Sequence, residues 1–196
     1  MLSTSVIMPY ARKTSRNPTR HFVTLAQLTA ANWQVTTEME RLGFWCDELD
    51  DVDVYLVPVS FLCYGWYQPE ADIYIPAVTG ANLSDLITGH HTRLTDVLCH
   101  EWSHALADRC SELVETKRFI RTFGGRYESP HPVWEYHPDL HLTPYAATQP
   151  CEDFAETFHY YLRHKGRLPL RLASKPKIIR KWEFVEWMAK QIARQS

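Results

Sequence analysis

The chain has 196 residues, a formal net charge of −2, 45% hydrophobic residues and 13% aromatic residues, which is enough for one globular core, short for two, and unlike a low-complexity chain. No apolar run approaches the roughly 18 residues of a membrane span, and no secretory apolar region follows Met1. Five scattered cysteines (Cys46, Cys63, Cys99, Cys110 and Cys151) form no C-x-x-C pair, which fits reduced thiols in a cytosol better than a disulfide framework.

Charge is segregated along the chain. Residues 1–37 carry Arg12, Lys13, Arg16 and Arg20 with no acid, and residues 163–196 carry ten basic residues against Glu183 and Glu186, leaving the middle at −14. Basic ends can attract nucleic acid or other anions, but the Lys and Arg of the last segment alternate with Ile178, Ile179, Trp182, Val185, Trp187 and Met188, as on an ordinary packed helix. Nucleic acid is therefore a partner the sequence permits without favouring it.

Residues 1–20 read as a flexible tail, and residues 21–196 as a single domain. A helix is predicted from Leu25 to Leu49, with Leu25, Leu28, Trp33, Met39 and Leu42 at apolar positions. Asp53–Val59 reads as a strand whose end Pro58 weakens, residues 63–78 as a hairpin, and Gly80–Gly89 as a loop.

A second helix is predicted to start at Thr92 as N-cap, with Asp96 in its first turn where a negative charge suits the helix dipole. Leu94, Leu98, Trp102, Ala105 and Leu106 gather on one face, and Val97, His100, Glu101, His104 and Asp108 on the other. The front face spells H-E-x-x-H. Residues four apart share a helix face, so His100 and His104 can offer imidazole nitrogens to one ion, while Glu101 reaches a water on it. Zinc lowers the pKa of such a water to about 7, within reach of a carboxylate base.

A catalytic zinc site normally needs a third protein ligand. Cys110 lies six residues past His104, but a helix that continues through Ala107 turns it away from the ligand face. Asp108 stands where SprT-like proteases place a third histidine, and as an aspartate it reads better as an outer-shell carboxylate. Residues 116–144 read as a long functional loop with short strands, whose His131, His137 and His141 are expected to be surface or packing residues. Next comes Pro150-Cys151-Glu152-Asp153-Phe154-Ala155-Glu156-Thr157-Phe158-His159, a helix with Pro150 near its start. Phe154, Phe158, Tyr161 and Leu162 form its apolar stripe, and Glu152, Glu156 and His159 a polar one. Two stacked carboxylates suit a metal ligand, Glu152, plus a partner that fixes a ligand imidazole, Glu156. A link near Pro169 leads to a last helix over Pro176–Ala193.

H-E-x-x-H followed by a glutamate on a second helix resembles the gluzincin class of zinc metallopeptidases. The stretch Tyr145-Ala146-Ala147-Thr148-Gln149-Pro150-Cys151-Glu152-Asp153-Phe154-Ala155-Glu156-Thr157-Phe158 is similar to the matching segment of the bacterial putative zinc-binding metallopeptidases and to that of the anthrax lethal factor-like catalytic domain. The match covers about residues 92–163. Residues 63–76 resemble the hairpin before the active helix in compact members, and Leu113–Leu142 has no counterpart. The resemblance implies one zinc on His100, His104 and Glu152, Glu101 as general base, Tyr145 as oxyanion donor, and Glu156 orienting a ligand histidine.

The expectation is therefore an α+β, zincin-like protease: a small, mostly antiparallel sheet packed on an active-site helix and further helices. The strand Asp72–Val78 is expected to present an exposed edge, so that Ile73, Tyr74 and Ile75 bind an extended peptide. Expected partners are a protein or peptide substrate and no membrane, on a monomer that is cytoplasmic or delivered to another cell as an effector.

Overall fold

Helix α1 (Leu25–Leu42) opens with a capping box: the Thr24 side chain accepts from the Gln27 N–H, and the Gln27 side chain accepts from the Thr24 N–H. It buries Leu28, Ala31, Val35 and Met39, the spacing of one helical face. The helix stops short of the predicted Leu49. Gly43 takes the left-handed φ of 81° and its N–H closes onto the carbonyls of Met39 and Glu40, a conformation that costs glycine little and other residues more. Asp47–Leu49 forms a separate 3-10 turn. This computed structural model describes residues 22–60, 63–69, 72–79, 92–129 and 135–195. The expected tail over residues 1–20, the loop Gly80–Gly89 and His131 lie outside them.

Strands β1 (Val54–Ser60), β2 (Trp66–Tyr67) and β3 (Ile73–Thr79) form one sheet in the order β1-β3-β2. The expected hairpin is present, with Trp66 opposite Tyr74 and Tyr67 opposite Ile73 in antiparallel register. The longer ladder is parallel, from Val54 opposite Ile73 to Ser60 opposite Thr79. The sheet is thus mixed rather than mostly antiparallel, because β1 takes the side of β3 that the hairpin leaves open. Pro58 falls in an edge strand, where a missing N–H is tolerated.

Five further helices complete the described residues: α2 (Leu94–Arg109), α3 (Ser111–Val114), α4 (Lys117–Phe123), α5 (Pro150–Arg163) and α6 (Pro176–Gln195). The N-cap of α2 is Arg93, one residue beyond the predicted Thr92, and no side chain caps it. Helix α4 lies within residues 116–144, where short strands were expected, and no strand occurs among the described residues of that range; Thr116 caps α4 by accepting from the Phe119 N–H, and Gly124 ends it at φ 86°. No described helix is long and apolar enough to cross a membrane.

The molecule is mixed α+β, with α2 at its centre, packed on α1, α5 and the sheet. Leu98, Trp102 and Leu106 of α2 meet Phe154 and Phe158 of α5, Phe184, Val185 and Met188 of α6, and Ile73 and Ile75 of β3 in one core. Each such side chain contributes about 1.5–3 kcal/mol when fully buried. The Trp102 indole N–H is satisfied by Asn32 Oδ1 at 2.7 Å. Gly65, at the entrance to β2, lets that strand close on the helix: a Cβ there would stand 2.7 Å from Ile75 Cδ1 and 3.0 Å from Val97 Cγ1.

Candidate metal centre

Helix α2 sets His100 and His104 one turn apart, and their Nε2 atoms approach to 3.2 Å. Helix α5 starts at Pro150, so Glu152 falls in its first turn, where the helix dipole favours a carboxylate. Glu152 Oε2 lies 3.0 Å from His100 Nε2 and 3.7 Å from His104 Nε2. One ligand atom from each of the three residues lies within 4.8 Å of the others.

The far nitrogens of both imidazoles are engaged. His100 Nδ1 is 3.3 Å from Glu156 Oε1, one turn beyond Glu152. His104 Nδ1 is 2.8 Å from the Tyr127 hydroxyl. A carboxylate can only accept, so the His100 proton belongs on Nδ1; the same assignment at His104 makes Tyr127 the acceptor. Both Nε2 lone pairs then face the buried Glu152 Oε2, at 3.0 and 3.7 Å. Three acceptors converging on one point need a positive charge between them.

The electrostatics agree. Burial alone lowers the pKa of His100, but hydrogen bonds to Glu152 and Glu156 overcome it and raise the ring to about 10. Burial raises the Glu152 carboxyl, and its contacts with His100 and His104 more than reverse that, holding it well below the usual range. Without a metal, a proton occupies the position. Two imidazoles whose outer nitrogens are already held, together with a carboxylate, fit a divalent ion such as zinc equally well.

Glu101 is 7% exposed. Burial raises its carboxyl pKa; His100 and His104 pull it down, Glu152 pushes it up, and the Tyr67 backbone N–H lowers it, for a net rise. Tyr67 also donates its hydroxyl to Asp108 Oδ2 at 2.5 Å. Asp108 therefore fastens β2 to α2, while His100 and His104 take their Nδ1 partners from Glu156 and Tyr127. Cys110 caps α2 and turns into the core, its Sγ 3.8 Å from that of Cys46.

Tyr145 stands on a 3-10 turn, Tyr145–Ala147, 52% exposed. Its ring centroid lies 5.6 Å from that of His100. Burial raises its pKa, the charge of Glu152 and a hydrogen bond to that carboxylate add to the rise, and the hydroxyl stays protonated. A strap presents this turn. Lys175 Nζ donates to the Pro138 carbonyl at 2.6 Å, and Lys181 Nζ donates to the Leu140 carbonyl. His141 Nδ1 lies 3.4 Å from Asp153 Oδ2, which Lys181 Nζ also meets at 2.5 Å. Thr143 hydrogen-bonds Glu156. His141 is thus a packing residue on α5, as expected. At the opposite end His159 Nε2 meets Asp96 Oδ1 at 3.1 Å, tying α5 to α2.

A cleft of about 1190 Å³ opens over this group, lined on one side by Gly65, Trp66 and Tyr67 and on the other by Arg126, Tyr127 and Glu128. The expected peptide edge is placed differently. Strand β3 is central, flanked by β1 and β2; Ile73 and Ile75 point into the core, and Tyr74 stacks between Tyr55 and Trp66. The strand that borders the cleft is β2. Sequence reading also missed Tyr127, Tyr67 and Thr143. The spacing of Phe119, Ile120 and Phe123 carried a signal for α4, but no local pattern marks Tyr127.

Comparison with family models, with curated proteins and with solved structures returns no match.

Proposed function

We propose that the chain is a zinc-dependent endopeptidase of gluzincin type, holding one zinc through His100, His104 and Glu152 on a zincin-like scaffold. The observation that carries this reading is the convergence of three acceptors, the two imidazoles braced from outside, beside a buried carboxylate, Glu101, whose pKa is raised. Bound there, zinc would supply Lewis acidity toward a peptide carbonyl and acidify the attacking water.

The residues around it have separable tasks. Glu101 takes the proton from the water and hands it to the leaving amine; its raised pKa suits both directions of transfer. The Tyr145 hydroxyl, protonated and beside Glu152, donates to the oxyanion. Glu156 and Tyr127 hold the imidazoles so that Nε2 points inward. Trp66 and Tyr67 give a peptide backbone its nearest strand. A site that only stored metal has no need of Glu101 or Tyr145.

Elemental analysis tests the assignment. Purified protein should carry about one zinc per chain, and the double variant His104→Ala, Glu152→Ala should carry almost none while keeping its circular dichroism. Full zinc in that variant contradicts the ligand set.

A further inference from the structure

The segment joining α5 to α6 departs from local expectation in four ways at once. From Arg163 to Trp182 the sequence has eight Lys and Arg residues and no carboxylate. Lys175 pairs with Asp139 and Lys181 with Asp153, whereas Lys165, Arg167, Arg171, Lys177 and Arg180 are exposed and have no ion pair among the described residues. Leu170, the first residue of the 3-10 turn Leu170–Leu172, is 94% exposed, although leucine is among the residues most often buried. Lys165 occupies the left-handed region at φ 54°, just before Gly166 at φ 74°, a position that usually falls to glycine or asparagine. Helix α6 opens with no acid in its first turn and with Lys177 and Arg180 near its N-terminus, against the preference of the dipole. Departures from local rules that folding does not require mark functional surfaces.

Hydrogen bonds fix the conformation of the turn. The Trp182 indole donates to the Gly166 carbonyl at 3.2 Å, and the Leu172 and Ala173 N–H groups close onto Pro169 and Leu170 at 2.8 and 3.1 Å. A side chain at Gly166 would press against the Tyr161 hydroxyl, its Cβ 3.2 Å away. Arg171 folds back toward the end of α5: burial lowers the pKa of His164, and the charges of Arg171 and Arg163 lower it further.

We propose that this turn is a docking finger for an anionic bilayer surface, in which Leu170 enters the boundary between headgroups and acyl chains while Lys165, Arg167, Arg171, Lys177 and Arg180 meet the lipid charges. The sequence offers no span and no membrane partner was expected from it, but peripheral binding needs only cations and an apolar tip. The leucine decides between anionic partners. A phosphate backbone rewards the cations and gains nothing from an exposed leucine, whereas a bilayer rewards both. The surface does not depend on the metal site.

The test is co-sedimentation of the full chain with vesicles of phosphatidylcholine, with and without about 30% phosphatidylserine, in about 0.1 M salt. Binding should require phosphatidylserine and be lost in about 0.5 M salt. Arg167→Gln with Arg171→Gln should weaken it about 25-fold, about fivefold per cation. Leu170→Ser, which leaves the charge unchanged, should weaken it about tenfold or more. All three positions are exposed, and unchanged circular dichroism verifies the fold of each variant. Absence of binding overturns the proposal, and so does binding indifferent to these variants, which would place the contact elsewhere, such as residues 1–21. Tighter retention on duplex DNA that ignores Leu170→Ser identifies a nucleic-acid surface and also overturns it.

Discussion

At the residue scale, Tyr127 and Tyr145 present phenols to the same centre for different ends. Tyr127 braces His104 from behind at 2.8 Å and packs among Phe119 and Phe154. Tyr127→Phe keeps the ring and deletes the brace, so zinc affinity measured against a chelator should fall about 10- to 100-fold, with the melting temperature of the metal-free protein little changed. Equal affinity would make Tyr127 a packing residue only. Tyr145 faces the other way, toward the Glu152 carboxylate and the cleft. Tyr145→Phe should lower kcat by about 10² or more at unchanged zinc content, the effect of one oxyanion donor. The roles proposed for Glu101, His100, His104, Glu152 and Glu156 were legible because helix periodicity fixes which residues share a face. Tyr127 was not, because its place depends on how residues 124–129 return to the cleft, and no short-range pattern encodes that.

At the element scale, helix α5 uses consecutive acids for opposite purposes. Glu152 faces the metal position, while Asp153 points into the strap, where it meets Lys181 and His141. Both members of the Asp153–Lys181 pair are buried. Lys181→Met leaves Asp153 facing only His141 and should cost about 3 kcal/mol in urea unfolding; adding Asp153→Leu should recover much of that, because removing both charges removes the desolvation cost. No recovery would show that the pair is not coupled. Existence and type of the long helices were readable from apolar spacing and from caps such as Pro150. Their limits were less so: Gly43 ended α1 earlier than the apolar positions implied, and Thr116 and Gly124 bounded a helix within a segment that read as loop and strands. The parallel pairing of β1 with β3 was unreadable for a different reason. Alternation fixes which face a strand buries but does not say which neighbour it takes.

At the scale of the whole molecule, the His100, His104 and Glu152 cluster links protons to stability. His100 rises from 6.5 to about 10 on folding, so its contribution to the metal-free protein is fully present below pH 6.5 and is lost as pH rises through about 10. Glu152 and Glu156 are lowered below 4.5, so theirs is present above that value and is lost as acid protonates them. Metal-free protein should therefore be most stable between about pH 4.5 and 6.5 and melt at falling temperatures toward pH 10. Zinc bound by His100 as proposed would replace the proton, so the loaded protein should lack that alkaline loss and lose stability more steeply in acid, where protons compete for the ligands. Identical pH profiles with and without zinc would show that the metal does not use His100.

The claim that most needs a direct measurement is that Glu101 acts on a substrate beside a bound zinc. Wild type and Glu101→Gln, each assayed for zinc content and for cleavage of a mixed peptide library by mass spectrometry of new termini, decide it. The account predicts about one zinc in both proteins, specific new termini with the wild type, and at least about 100-fold fewer with the variant. Equal cleavage by the two proteins, or no zinc in the wild type, would contradict it.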